Sequence, residues 1–252
     1  MTVSPPLLPA AYRLILRESV GSTNDEAKEL ARAGAAEGTI VCGLQQTAGR
    51  GRRGRSWSSP PGNLYTSIIL RPACTPEDAA QLAFVAALGV GEALLEQAPA
   101  LRSITYKWPN DVLAGGRKIA GILLESETGE NGNLAFLIAG VGINLASAPP
   151  DAEFPATSLV AEGMPAPTPE AALAAFVRHF DRWVRRWREE GFGPVREVWR
   201  AGAFVLGEPI HVRLENATLY GRFIDIDQRG ALLLEVGGER RRISAGDVFP
   251  AR

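Results

Sequence analysis

Along this chain the spacing of apolar residues switches repeatedly between a period near two and a period near 3.6, and the switches outline a mixed α/β protein. After a lead containing Pro5, Pro6 and Pro9, residues 12–16 read as a short strand. Thr23-Asn24-Asp25-Glu26 has the order of a capping box and predicts a helix that stops at Gly34. Residues 39–44 and 64–70 read as strands, and Thr75-Pro76-Glu77-Asp78 then supplies an N-cap, a first-turn proline and two first-turn acids for a long, buried Ala/Leu/Val helix. Residues 104–108, 111–114, 117–125 and 133–138 predict further strands, with Gly115-Gly116 suited to a two-residue hairpin turn.

Thr168-Pro169-Glu170 opens another helix, in which Leu173, Phe176, Val177, Phe180, Val184 and Trp187 share one face and Gly191 ends the run. From about Gly207 the pattern changes to short strands with turn signals, at 211–214, 218–226, 231–236 and 240–243, as in a small β-barrel. The reading is therefore an α/β (α+β) protein of two domains: 1–204, a mixed sheet with helices packed on it, and 205–252, the small barrel.

Composition narrows the function. With 46% hydrophobic and 22% charged residues the chain has the make-up of a soluble globular protein. Its 27 basic residues against 28 acidic ones give a net charge of −1, so no global field draws it to nucleic acid or membrane and any cationic function is local. Two cysteines fit neither a disulfide framework nor metal-site spacing, and two histidines leave little for His-based triads. The start lacks a basic leader region and no later segment is an unbroken apolar run of membrane-spanning length, so the expected setting is the cytoplasm.

The local cationic feature is Gly49-Arg50-Gly51-Arg52-Arg53-Gly54-Arg55-Ser56-Trp57. It matches G-x-G-x-x-G and, with Arg in place of Lys, the phosphate-loop pattern. Both patterns place phosphate at the start of a helix that follows directly, and residues 57–62 contain two prolines, so neither applies. What remains is four guanidinium groups on a glycine-rich backbone, able to surround an anion with bidentate donors. A solvated basic turn without a ligand explains two such arginines better than four, because their mutual repulsion needs a compensating partner.

Lys107-Trp108-Pro109-Asn110-Asp111 follows a predicted strand that Pro109 cannot continue, so Asn110 and Asp111 fall at a strand-end turn, where an Asx-turn with a packed tryptophan explains them as readily as a ligand site. Lys118 lies in a strand with apolar successors and calls for an anion. Gly121, and Gly140-Val141-Gly142-Ile143-Asn144, suggest close approach of a ligand or another backbone, while Asn144 alone reads as a turn residue. Ser22-Thr23-Asn24 puts hydroxyl and amide groups at a helix start.

Taken in this order, with Gln46 before the arginine loop and Gly230-Ala231-Leu232-Leu233-Leu234-Glu235 near the end, these segments resemble the biotin–protein ligase family. The resemblance implies a class II aminoacyl-tRNA synthetase-like catalytic domain followed by an SH3-like barrel. It implies an enzyme that makes biotinyl-5'-AMP from biotin and MgATP and passes biotin to a lysine of a biotin carboxyl carrier protein, as in acetyl-CoA carboxylase. Ser22, Thr23, Asn24, Gln46, Gly49, Arg50, Gly51, Arg52, Arg55, Trp57 and Lys118 would hold biotin or its adenylate, with Gly121, Ile122 and Asn144 completing the pocket. Trp57 would stack near adenine. Lys107, Asn110 and Asp111 would serve ATP, magnesium and the reacting phosphate, and Arg252 would approach the nucleotide. Lys118, Arg50, Lys107 and Asp111 would carry the catalysis.

The family's arginine loop is mobile until ligand orders it. With about twenty residues before Ser22, the chain resembles the members without an N-terminal DNA-binding domain, a monomer or homodimer. A lipoate–protein ligase shares the adenylation logic but is not expected to carry this loop; a nucleic-acid-binding module using the loop is the reading from another class, opposed by the acidic balance.

Overall fold

The computed structural model describes residues 7–129 and 132–251; Arg252 lies outside the described residues. Strands β1 (Arg13–Arg17), β2 (Thr39–Gly43), β3 (Leu64–Leu70), β4 (Ile104–Lys107), β5 (Asp111–Ala114), β6 (Arg117–Thr128) and β7 (Leu134–Ile143) form one sheet in the order β1-β2-β3-β7-β6-β5-β4. Its one parallel pair, β1 with β2, is bridged by helix α1 (Thr23–Arg32), as a parallel connection requires.

The central strands are apolar on both sides because both faces are covered. On one face Ile40, Cys42, Ile68 and Leu70 pack with the helices α3 (Leu82–Gln97) and α4 (Pro169–Glu190) in the main core. On the other, α1 sets Ala27 and Ala31 on Val41, Ile69, Phe136 and Ile138. Period-two alternation thus sends each strand's side chains to two different layers, and the α1 layer is short. Beyond the N-terminus of α1 the same face continues uncovered by helix.

The long helix expected after Thr75 is two helices. Thr75 Oγ1 accepts from the Asp78 N–H at 3.2 Å to cap the single turn α2 (Pro76–Ala79), and α3 begins after it. The stretch Pro76–Gln97 is long and apolar enough to cross a membrane, but 78% of its most apolar window is buried in this fold, so α4 and the sheet account for its composition. Helix α5 (Phe192–Ala201), not among the elements expected after Gly191, carries Pro194 in its first turn and buries Phe192, Val195 and Trp199.

A second sheet, with the order β11-β10-β9-β8-β12, contains β8 (Pro209–Arg213), β9 (Thr218–Ile226), β10 (Leu232–Val236), β11 (Glu239–Ile243) and β12 (Asp247–Pro250), all antiparallel. It is fastened to the rest of the chain by directed bonds: Trp108 Nε1, in the turn between β4 and β5, donates to Gly230 O at 2.9 Å, and Arg196 Nη2 of α5 meets Asp225 at 2.7 Å. These fix β12, which no sequence signal predicted, beside the turn between β4 and β5.

Candidate active site

Strands β4 and β5 are joined by Trp108-Pro109-Asn110, and their register sets Lys107 opposite Asp111 in the ladder. Lys107 Nζ donates to Asp111 Oδ2 at 2.9 Å. Gly115 and Gly116, both at positive φ, turn the chain into β6 as expected, and Lys118 Nζ comes within 2.6 Å of Asp111 Oδ1. Burial alone would raise the Asp111 carboxyl, but the two ammonium groups, by charge and hydrogen bond, hold it well below the usual carboxylate range. Two cations thus share one buried anion, leaving a positive charge unmatched. Lys107, 5% exposed, also sits 4.7 Å from the ring centre of Phe154 and 5.7 Å from that of Phe249 on β12.

Where the α1 face runs on past the start of that helix, three glycines and a serine lie in register. Ser67, Gly140 and Leu123 form one row across β3, β7 and β6, and Tyr65, Gly142 and Gly121 the next. The Asn24 amide lies against Gly140, where any Cβ would collide with it. The Trp57 indole lies on the second row: a Cβ at Gly142 would be 2.6 Å from its Nε1, and one at Gly121 3.0 Å from its ring and 3.3 Å from Lys118 Nζ. The expected close approach at these glycines is therefore made by side chains of the chain's own loop and helix. Lys118 Nζ stands 5.2 Å from the indole centre, and Trp57 Nε1 is buried without a partner.

The capping box is not formed. Ser22 is the N-cap and its side chain caps nothing. Thr23 N–H and Oγ1 both donate to Gln46 Oε1, at 2.9 and 3.1 Å, while Gln46 Nε2 donates to Ser59 Oγ at 2.9 Å. Ser67 Oγ, 2.8 Å from Thr23 Oγ1, lies 2.6 Å from Asn24 Oδ1, and Asn24 Nδ2 donates to Glu125 Oε2 at 2.7 Å. Glu125 also receives Lys28 and Arg50, each at 3.2 Å, and Arg50 pairs with Asp25. Burial would raise the Glu125 carboxyl; these donors keep it below its ordinary value. Polar groups that local sequence assigns to capping are instead drawn into a buried network with β3 and β6.

No helix follows the arginine loop. Arg52–Gly54 make a single 3-10 turn with Arg53 at φ 55, and the chain then runs without regular structure to β3. Gly51 N–H donates to Arg55 O at 2.7 Å, and Trp57 N–H to Gly49 O at 2.9 Å, closing the loop on itself. Gly49 is packed so tightly that a Cβ would lie 2.6 Å from Ser59 Oγ. Arg52 Nη1 donates to Asn110 Oδ1 at 3.2 Å. Arg52, Arg53 and Arg55 also all reach Asp247 on β12, at 3.6, 3.4 and 3.0 Å. Sequence reading missed Asp247, Ser67, Glu125, Glu153, Phe154 and Phe249; only the charge imbalance of the loop hinted that a carboxylate had to meet it.

A cavity of about 510 Å³ opens between loop, sheet and β12. Of the expected residues, Gly51, Arg52, Arg55, Trp57, Lys107, Asn110, Asp111, Lys118, Gly121, Ile122 and Asn144 line it. Ile122 takes part through its backbone, which bonds to Asn110 in both directions, while its side chain belongs to the core. Asn144 Nδ2 donates to Thr157 O at 3.0 Å and ties down the segment that carries Phe154. Ser22, Thr23, Asn24, Gln46, Gly49 and Arg50 do not line it; they sit farther along the sheet face, with Trp57 on the adjacent row.

Known proteins share these features. A model of the biotin/lipoate A/B protein ligase family matches residues 55–201, and one of the biotin protein ligase C terminal domain matches residues 205–249. The chain is 44% identical over 235 residues to the biotin–[acetyl-CoA-carboxylase] ligase of Paracoccus denitrificans, covering 90% of this chain and 96% of that protein. To the bifunctional ligase/repressor of Bacillus subtilis it is 35% identical over 240 residues, covering 93% and 73%. The solved biotin protein ligase of Aquifex aeolicus in complex with biotin and ATP has a TM-score of 0.79 at 27% identity, with 95% of this chain and 99% of that one covered. Two catalytic-domain and C-terminal-domain matches in sequence order, and a relative alike along almost its whole length, establish that the chain belongs to the biotin protein ligase family.

Proposed function

We propose that this protein activates biotin with ATP to biotinyl-5'-AMP and transfers the biotinyl group to a lysine of a biotin carboxyl carrier protein. The observation that carries the reading is the pair Lys107 and Lys118 held by the single carboxylate Asp111 on the wall of a cavity roofed by the arginine loop. Two anions, a carboxylate and a triphosphate, have to be brought together there. An array with more cations than anions, fixed on strands before the substrates arrive, offsets their repulsion and spends nothing on reorganisation.

In the first step a biotin carboxylate oxygen bonds to the α-phosphorus and pyrophosphate leaves. In the second, an acceptor lysine amine attacks the acyl carbon and AMP leaves. Neither step needs a protein nucleophile, which suits a site without histidine. Lys118, over Trp57 and beside Gly121, is placed to neutralise the reacting carboxylate and α-phosphate; Lys107 holds Asp111 ionised. The network of Ser22, Thr23, Asn24 and Gln46, with Arg50, supplies directed donors and acceptors for the polar ring of biotin, reached when Trp57 moves from its row onto the adenine. Arg52, Arg55, Asn110 and Asn144 face the nucleotide.

Of the carboxylates lining the cavity, Asp111, Asp151, Glu153 and Asp247, magnesium would meet Asp111, whose Oδ1 has the Lys118 ammonium at 2.6 Å but no well-directed hydrogen bond; a ligand set completed by phosphate oxygens and water fits what magnesium asks. Calorimetric titration with biotin, then with biotin plus MgATP, followed by label transfer to a carrier domain, tests the reading. Binding of lipoate in place of biotin, or no transfer, would overturn it.

A further inference from the structure

We propose that Asp247, on the C-terminal sheet, is a positioning residue that holds the arginine loop folded over the cavity. It is 6% exposed and lines the cavity. Three guanidinium groups of one loop converge on this carboxylate, and Arg213 on the neighbouring strand β8 approaches it at 3.9 Å. Four cations gathered within one carboxylate's reach repel each other, and the loop's own backbone bonds, from Gly51 to Arg55 and from Trp57 to Gly49, close its neck without neutralising that charge. Arg53 adds a further cost, since a non-glycine residue at φ 55 is held there by its surroundings. Its Nη1 donates to Asp247 Oδ2.

The same geometry explains why the latch does not silence the site. Arg52, Arg53, Arg55 and Arg213 share Asp247 and Glu153, so four positive charges face two negative ones. The surplus remains for an entering phosphate. Asp247 acts through the arginines: it sets where they stand, and the phosphate takes up what the carboxylate leaves unbalanced. The latch is independent of which ligand the cavity takes; its effect on biotin rests on the function proposed above.

Tryptic cleavage within residues 50–55, normalised to cleavage elsewhere in the chain, reports loop order in the full-length protein without ligand. Asp247→Asn should raise that rate roughly tenfold, the size expected for losing a charge-assisted bond, and Asp247→Glu should restore protection. About 1 M salt should move the wild type toward the rate of Asp247→Asn and leave the variant unchanged. An equal loop rate in wild type and Asp247→Asn overturns the latch. So does acceleration at all sites together in both variants, which would mark a purely structural role. Calorimetry should show biotin affinity about tenfold weaker in Asp247→Asn, because ordering the loop then draws on binding energy. Wild-type biotin affinity in Asp247→Asn would refute this consequence. A wild type that binds no biotin would refute the proposed function and leave the tryptic result to judge the latch.

Discussion

The two cationic halves of this site solve the same problem on opposite scaffolds. Lys107 on β4 and Lys118 on β6 stand on either side of β5, nearly immobilised by the buried carboxylate they share on that strand and by the ladders that join the three. Arg50, Arg52 and Arg55 stand on a loop with one turn of 3-10 helix, and their positions depend on side chains of other elements: Asp25 and Glu125 for Arg50, Asn110 and Asp247 for the other two. A lysine on a strand is placed by the backbone; an arginine on a loop is placed by its counter-ion. The first arrangement favours chemistry at a fixed point, the second admission and retention of a ligand.

Replacing Lys118 by alanine tests the strand half most severely. Adenylate formation, read as pyrophosphate release, should fall by about 100- to 1000-fold, as for other preorganised charge donors, while the circular dichroism spectrum is unchanged. A fall of less than tenfold would mean the loop carries the chemistry too.

Asp111→Asn should cost about 3–5 kcal/mol of stability, because it strands the buried Lys107 ammonium without its anion. The pH dependence gives the sign. A carboxyl held below its unfolded value of about 3.9 stabilises the fold above roughly pH 5 and loses that contribution as the pH falls through 4 and below. Urea unfolding between pH 7 and 3 should therefore show a shallower decline in the variant than in the wild type.

Arg50→Ala addresses the loop half. It should leave adenylate formation within severalfold of normal but let the adenylate escape, raising the labelling of bystander lysines by about tenfold, the worth of one charge-assisted bond. Unchanged retention of the adenylate would remove the functional distinction between loop and strands.

The smallest effect belongs to the place where the halves touch. Gly142→Ala puts a methyl group 2.6 Å from Trp57 Nε1 and should dislodge the indole from the sheet. A red shift in tryptophan emission with a change in the KM for ATP of only a few fold is expected, since an overpacked side chain at the end of a loop can yield at modest cost.

Much of this was written locally. Period and punctuation sufficed for the hairpin at Gly115-Gly116, for most strands, and for a glycine–arginine segment that no helix follows, because backbone conformation and the avoidance of unpaired charge act over a few residues. The glycines at 121, 140 and 142 announced a close approach, but not that Trp57 and Asn24 would make it. Thr23 looked like part of a capping box until Gln46 and Ser67 claimed its hydroxyl, and α5 follows directly on the Gly191 that ends α4, with no further start signal of its own. The role of Asp247 had no local sign at all. Which carboxylate meets three arginines some 190 positions earlier depends on how two sheets are fastened together, and that is settled by the packing of Trp108 and Arg196 across the junction, through contacts that no spacing along the chain encodes.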